Sequence, residues 1–275
     1  MQRLPLRRIP CLVVAAGLAI AVPGWAQLGE LSDTEIEECL NEGKVGKKAG
    51  KLVGVTRPEH VNIDCPGISE SAVFKYHDEH RQGITRLAGG ETELNFSDSY
   101  KYERAAYLLD RELGMNMVPV AVMRNVKGDD GTLVAWIPDA VHEKDMEGSP
   151  KGLEMVGLLQ DKAVMRLFDA LIYNVDRRPE NWMVSKDDWS LYLIDHSRAF
   201  RDLKDLPESF TSDKLWLSQD LYEKLKALDQ VELAAAMDGL ITEAQVKSML
   251  ARRDLILERV EKERSAQGDD AVFFK

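Results

Sequence analysis

Apolar residues follow two different rhythms along this chain, and the rhythm changes near its middle. In the first half, Ser32-Asp33-Thr34-Glu35 forms a capping box that predicts a short helix to about Leu40. GKVGKKAGK (43–51) is rich in Gly and Lys and reads as a linker or loop. LVGVTRPEHVNI (52–63) and SAVFKY (71–76) are β-like runs, separated by the turn signal Asp64-Cys65-Pro66-Gly67. Residues 77–98 are polar and contain glycine, which predicts a loop. Ser97, Asp98 and Ser99 each suit a helix N-cap. Tyr102, Ala105, Ala106, Leu109 and Leu113 then repeat at helical spacing, and Gly114 supplies the stop. VPVAVMRNV (118–126) and TLVAWI (132–137) flank a polar, Gly-containing turn and predict a β-hairpin.

From Gly152 the period becomes helical. Met155, Leu158, Leu159, Met165, Phe168 and Ile172 predict the buried face of a long helix ending near Tyr173. WMVS (182–185) and LYLI (191–194) read as short strands around Lys186-Asp187-Asp188, and the rest reads as helix. A second capping box, Thr242 to Gln245, opens a long charged helix toward Arg264. The C-terminal DDAVFFK has no clear partner, and the chain shows no internal repeat. This order predicts an α+β fold with a β-rich lobe over residues 27–145 and a mainly helical lobe over residues 146–275. The polar, turn-rich stretch PDAVHEKDMEGSPKG marks the change.

The opening MQRLPLRRIPCLVVAAGLAIAVPGWAQ changes the expected address. Its basic start, short apolar run and small residues before Gln27 predict a signal peptide cleaved after Ala26; the alternative is an uncleaved anchor. No later stretch is long and apolar enough to predict a transmembrane helix. Losing the segment's three arginines, with no acid, would take the net charge from −11 to −14. Such a chain is a poor bulk binder of nucleic acid, and an anionic membrane is a disfavoured substrate. Of three cysteines, Cys39 and Cys65 remain, which points to a disulfide in an exported protein; two buried thiols are the alternative. Zinc is not indicated, because there is no CxxC and no nearby His pair.

The candidate chemistry lies in NVDRRPENW (174–182). Phosphoryl transfer needs a group to orient the attacking hydroxyl, oxygen ligands for a divalent ion, and a cation on the phosphates. Asp176 fits the first role. Asn181, five residues on, fits the spacing of a metal ligand presented by the same loop. Asp195, at the end of an apolar strand, offers a hard carboxylate oxygen. Lys75 lies on the apolar strand AVFKY and requires a charged partner; Glu103, in the first turn of the helix YKYERAAYLLDREL, suits that need. Each residue alone is as well explained as a surface charge or a turn former. Their joint order is far more specific. His77, His80 and Arg81 read as solvated loop, Trp182 and Trp189 as packing, and His196 as either tuning the site or packing beneath it.

LFDALIYNVDRRPENWMV followed by LYLIDHSRAF resembles the catalytic core of the atypical kinases: the type II phosphatidylinositol 4-kinases, the HipA-type bacterial kinases and the secretory-pathway casein kinases. ESAVFKY and YERAAYLLDRELGMNMVPVAV resemble the lysine strand and glutamate helix of the same superfamily, so the likeness covers roughly residues 50–205. The resemblance implies a two-lobed protein-kinase-like fold that uses ATP with Mg²⁺ or Mn²⁺. It implies that Lys75 contacts phosphates, Glu103 holds Lys75, Asp176 is the base, and Asn181 and Asp195 bind the metal. Trp136, Ile137 and Pro138 would lie near the hinge and the adenine. The implied partners are a nucleotide and a protein or small-molecule acceptor, and a silent pseudokinase is the alternative. Two departures bear on activity. Asp195-His196-Ser197 stands where many relatives carry Asp-Asn-Gly or Asp-Phe-Gly, and Arg178 where many carry His. No GxGxxG loop is visible; Gly43, Gly46, Gly50 and Gly54 read more simply as a flexible linker.

Overall fold

Ser32 starts the first helix, α1 (Asp33–Glu42), through a reciprocal cap. Its Oγ accepts from the Glu35 N–H, and Glu35 Oε2 accepts from the Ser32 N–H at 2.8 Å. The computed structural model describes residues 31–51, 56–65, 68–87, 89–90, 92–211 and 214–274. The expected leader and the β-like start at 52–55 lie outside them. At Gly43 the chain turns so tightly that a Cβ would sit 2.5 Å from Ile63 and 2.6 Å from Cys65 Sγ. The same corner carries a disulfide between Cys39 and Cys65, with Cα atoms 5.6 Å apart.

Five antiparallel strands follow, in the spatial order β1-β2-β3-β7-β6. They are β1 (Lys44–Lys51), β2 (Glu59–Cys65), β3 (Ile68–Lys75), β6 (Ala121–Val126) and β7 (Asp129–Ala135). The expected linker at 43–51 is therefore a strand. It lies at the sheet edge and is bulged against β2, where a lysine-rich, glycine-containing strand is at home because it discourages further pairing.

The expected loop at 77–98 is instead a hairpin, β4 (Asp78–Arg86) with β5 (Thr92–Ser99). Its cross-strand pairs are largely polar, such as His80 with Ser97, so no apolar alternation announced it. Ser97, Asp98 and Ser99 belong to β5. Helix α2 (Lys101–Glu112) begins at Tyr100 with no side-chain cap from that residue, although Ser99 Oγ accepts from the Lys101 N–H at 3.3 Å.

The second half is built on α3 (Leu153–Ile172), which closes at Tyr173 in the left-handed conformation, φ 54°. Leu158, Met165, Phe168 and Ile172 are buried as the periodicity requires, but Met155 and Leu159 are 40% and 51% exposed. Met155 lies less than a turn before the first buried position, Leu158, and Leu159 directly follows it. A three-stranded antiparallel sheet joins β8 (Ala140–Val141), β9 (Trp182–Ser185) and β10 (Leu191–Leu193) in the order β10-β9-β8. Then come α4 (Glu208–Thr211), β11 (Leu217–Ser218), α5 (Gln219–Ala227), α6 (Gln230–Ala236), α7 (Glu243–Gln267) and β12 (Phe273–Phe274). The C-terminal residues do have a partner: β12 pairs in parallel with β11, and Phe274 and Phe273 pack edge-on against Trp216 and Tyr222. The whole is α+β in two lobes. Among the described residues, no helix is long and apolar enough to cross a membrane.

Candidate active site

β3 alternates in the ordinary way. Ala72 and Phe74 point into the core, while Val73 and Lys75 face the other side. Lys75 therefore emerges at the strand end toward α2 and the segment after β10. Its Nζ lies 2.5 Å from Glu103 Oε1 and 2.9 Å from Asp195 Oδ1. Glu103, in the first turn of α2, is only 2% exposed. Burial pushes its carboxyl pKa up, but the Lys75 ammonium and the His196 hydrogen bonds outweigh burial and bring it to about 2. For Lys75, burial pulls the pKa down, and the charges of Asp195 and Glu103 more than reverse it. Lys75 and Glu103 thus stay charged at neutral pH. Asp195 itself sits at φ 62°, a strained position for a side-chain-bearing residue, with its side chain 43% exposed.

The loop from Asn174 to Asn181 is held by two residues that sequence reasoning missed. Arg177 forms a fork with Asp169 of α3, Nε and Nη2 each 2.9 Å from a carboxylate oxygen. Its Nη1 donates to the carbonyls of Asn181 and, at 2.7 Å, Ile194. One guanidinium therefore ties together α3, the loop end and the residue before Asp195. Asn181 Nδ2 donates to the Asp176 carbonyl at 2.6 Å, and the Asp176 N–H donates to Asn174 Oδ1 at 3.1 Å. The available signal was Asp169 itself, an acid inside the apolar run LFDALI that requires a buried cation.

Around this centre, Thr56, Lys75, Tyr76, His77, Asp98, Tyr100 and Ser197 line a recess of about 220 Å³, counting space open to solvent. Burial raises the Asp98 pKa against a Ser197 hydrogen bond, and its buried Oδ1 has no partner among the described residues. His196 is fully buried; its backbone N–H and ring Nδ1 lie 3.0 and 3.4 Å from Glu103 oxygens. The β4–β5 hairpin straps the segment beyond: buried Glu93 receives Arg198 at 2.5 Å and Arg201 at 2.7 Å, and the Ser99 N–H donates to the Ser197 carbonyl. Asp176 is paired with exposed Arg178, Nε to Oδ1 3.1 Å. Trp136 and Ile137 are not in the Lys75 recess. They line a separate one of about 250 Å³, also counting open space, with Ile36, Pro119, Val120, Ala135 and Tyr192; the Trp136 ring stacks on His60.

Neither a family model nor a curated protein matches the sequence. Solved structures do. Hydra Fam20, solved with sugar, superposes with a TM-score of 0.66 at 18% identity, covering 90% of this chain and 94% of that one. The Golgi casein kinase with Mn and ADP bound gives 0.59 at 14% identity, covering 88% and 78%. The Helicobacter pylori proinflammatory kinase CtkA gives 0.50 at 10% identity, covering 78% and 92%. This chain has the fold of the atypical kinases.

Within that kinase fold, the residues present suit a divalent cation shared with phosphates. Among the described residues, no three His, Cys, Asp or Glu side chains gather into a self-sufficient metal cage. Magnesium sites on phosphate substrates do not need one, because one or two protein oxygens plus phosphate and water complete the octahedron. Asp195 Oδ2 and Asn181 Oδ1 accept no hydrogen bond from the described residues, whereas Asp195 Oδ1 and Asn181 Nδ2 are engaged. Each side chain thus keeps one oxygen available.

Proposed function

We propose that this protein is an exported, ATP-dependent phosphotransferase that moves the γ-phosphate of ATP to a hydroxyl acceptor on protein. One observation carries the reading: a lysine from the sheet, a glutamate from the helix and an aspartate from the segment after β10 meet within 2.9 Å. Such a charged set costs desolvation and is retained where it serves a charged ligand. The kinase fold and the Mn and ADP bound by the Golgi casein kinase support ATP as that ligand.

In this reading Lys75 holds the non-transferred phosphates, and Glu103 keeps the ammonium aimed. Asn181 and Asp195 hold Mg²⁺ or Mn²⁺, which supplies positive charge against the phosphate oxygens. Asp176 orients the acceptor hydroxyl and takes its proton. The path from Trp136 to Ile137 borders the adenine at the hinge. Phosphoryl transfer of this kind relies mainly on positioning and charge, which rigid elements and the Arg177 fork provide. Export is supported by the basic-apolar leader and by the Cys39–Cys65 disulfide.

A second reading, nucleotide binding without turnover, is favoured by the Arg178 contact, which engages both oxygens of Asp176, Nε to Oδ1 at 3.1 Å and Nη2 to Oδ2 at 3.5 Å. Incubation with γ-labelled ATP and Mn²⁺ separates the two. Label transfer or ADP release that Asp176→Asn abolishes supports the phosphotransferase. Binding with no release supports the silent module, and absence of both overturns each.

A further inference from the structure

Glu103 receives hydrogen bonds from two distant parts of the chain. Lys75 Nζ and the His196 N–H both reach Oε1, at 2.5 and 3.0 Å, and the His196 ring Nδ1 lies 3.4 Å from Oε2. A carboxylate only accepts, so Nδ1 carries the ring proton there. Nε2 is then the bare nitrogen, and it is buried without a partner among the described residues. The ring is fully buried and lies edge-on to Phe168, with centroids 6.2 Å apart. A hydrocarbon side chain would fill this slot without orphaning a polar atom. What the imidazole adds is a donor aimed at Glu103.

We infer that His196 is a positioning residue. It tethers Glu103 of α2 to the segment carrying Asp195 and so keeps Lys75 aimed at the phosphate site without a separate activating event. The Asp195-His196 dipeptide then acts in two directions: Asp195 meets the lysine, and His196 meets the glutamate that holds the same lysine. A displacement of α2 would have to break the Lys75 and His196 bonds to Glu103 at once. This inference rests on the phosphotransferase reading for its purpose, but its geometry can be tested without ATP.

Two variants and one spectrum decide it. His196→Phe keeps an aromatic ring in the slot and removes the donor, whereas His196→Asn places an amide N–H near the position of Nδ1. The rate at which a small acylating reagent modifies Lys75, read by mass spectrometry without nucleotide, is expected to rise about tenfold in His196→Phe. It should stay within about twofold of the unsubstituted protein in His196→Asn. The KM for ATP should rise in parallel in His196→Phe, with kcat changing much less. In the unsubstituted protein the ¹⁵N spectrum of His196 should show Nδ1 protonated and Nε2 bare, a readout that stands even if a variant fails to fold. Unchanged Lys75 reactivity in His196→Phe, failure of Asn to rescue, or the opposite tautomer each overturns the tether. Absence of ATP binding would instead overturn the phosphotransferase reading and leave the other two measurements to decide.

Discussion

Asp195 Oδ1 lies 2.9 Å from Lys75 Nζ, across 120 residues of sequence. Lys75 also neutralises Glu103, which has almost no access to water. Lys75→Met is therefore expected to leave a buried carboxylate without its cation and to cost about 3 kcal/mol of stability. An exposed strand lysine would cost less than about 0.5 kcal/mol. Urea denaturation of the two proteins distinguishes these outcomes.

Arg177 is the fork that joins Asp169 to the Asn181 and Ile194 carbonyls. Arg177→Lys keeps the charge but cannot hold three partners in one plane. Faster amide hydrogen exchange is expected at Asn181 and Ile194, whose N–H groups donate to the Arg178 and Asn181 carbonyls. Exchange in α7 should not change. Equal exchange in both regions would show that the fork holds nothing locally.

Asp161 gives the stability a pH dependence that can be read separately from the site. Burial lifts its carboxyl to about 6 from an ordinary 3.8; the Leu191 N–H opposes this and the charge of Asp188 adds to it. Below the unfolded value both states hold the proton, so the contribution is fully present; it is lost as pH rises through 6. Asp161→Asn is expected to change little at pH 4 and to stabilise by about 2 kcal/mol at pH 8. Equal effects at the two pH values would remove the linkage.

The Cys39–Cys65 disulfide closes a loop with a sequence separation of 26 residues. Through it, α1 is fixed to β2, and α1 in turn braces α2: Asp33 receives Arg111 at 2.5 Å, and Glu37 accepts from Tyr107 Oη at 2.7 Å. Replacing both cysteines by serine should cost about 3 kcal/mol. It should also weaken ATP binding, because the brace behind Glu103 loosens. A loss of melting temperature with unchanged ATP affinity would confine the disulfide to stability.

Local signals in the sequence were enough for the parts of the fold that carry Lys75, Glu103 and Asp195. The apolar alternation of β3, the helical period of α2 and the short strands β9 and β10 each announce themselves within a few residues. The capping boxes at Ser32 and Thr242 marked two helix starts for the same reason. The β4–β5 hairpin and edge strand β1 escaped because both are polar, and their order comes from backbone pairing rather than from an apolar face. His196 was illegible as a partner because its bond goes to a helix 93 residues away, whereas the Arg177 fork left a signal in Asp169, an acid inside an apolar run. Trp136 and Ile137 line a recess with Ile36 and Tyr192, apart from the one at Lys75.

The central claim is that Lys75, Glu103 and Asp195 form a site for a metal–nucleotide complex, and thermal stabilisation by ATP tests it most directly. Stabilisation of several degrees is predicted with millimolar ATP and Mg²⁺ or Mn²⁺, with loss of the effect in EDTA and in Asp195→Ala. An unsubstituted protein whose melting temperature does not move with ATP in either metal would contradict the account.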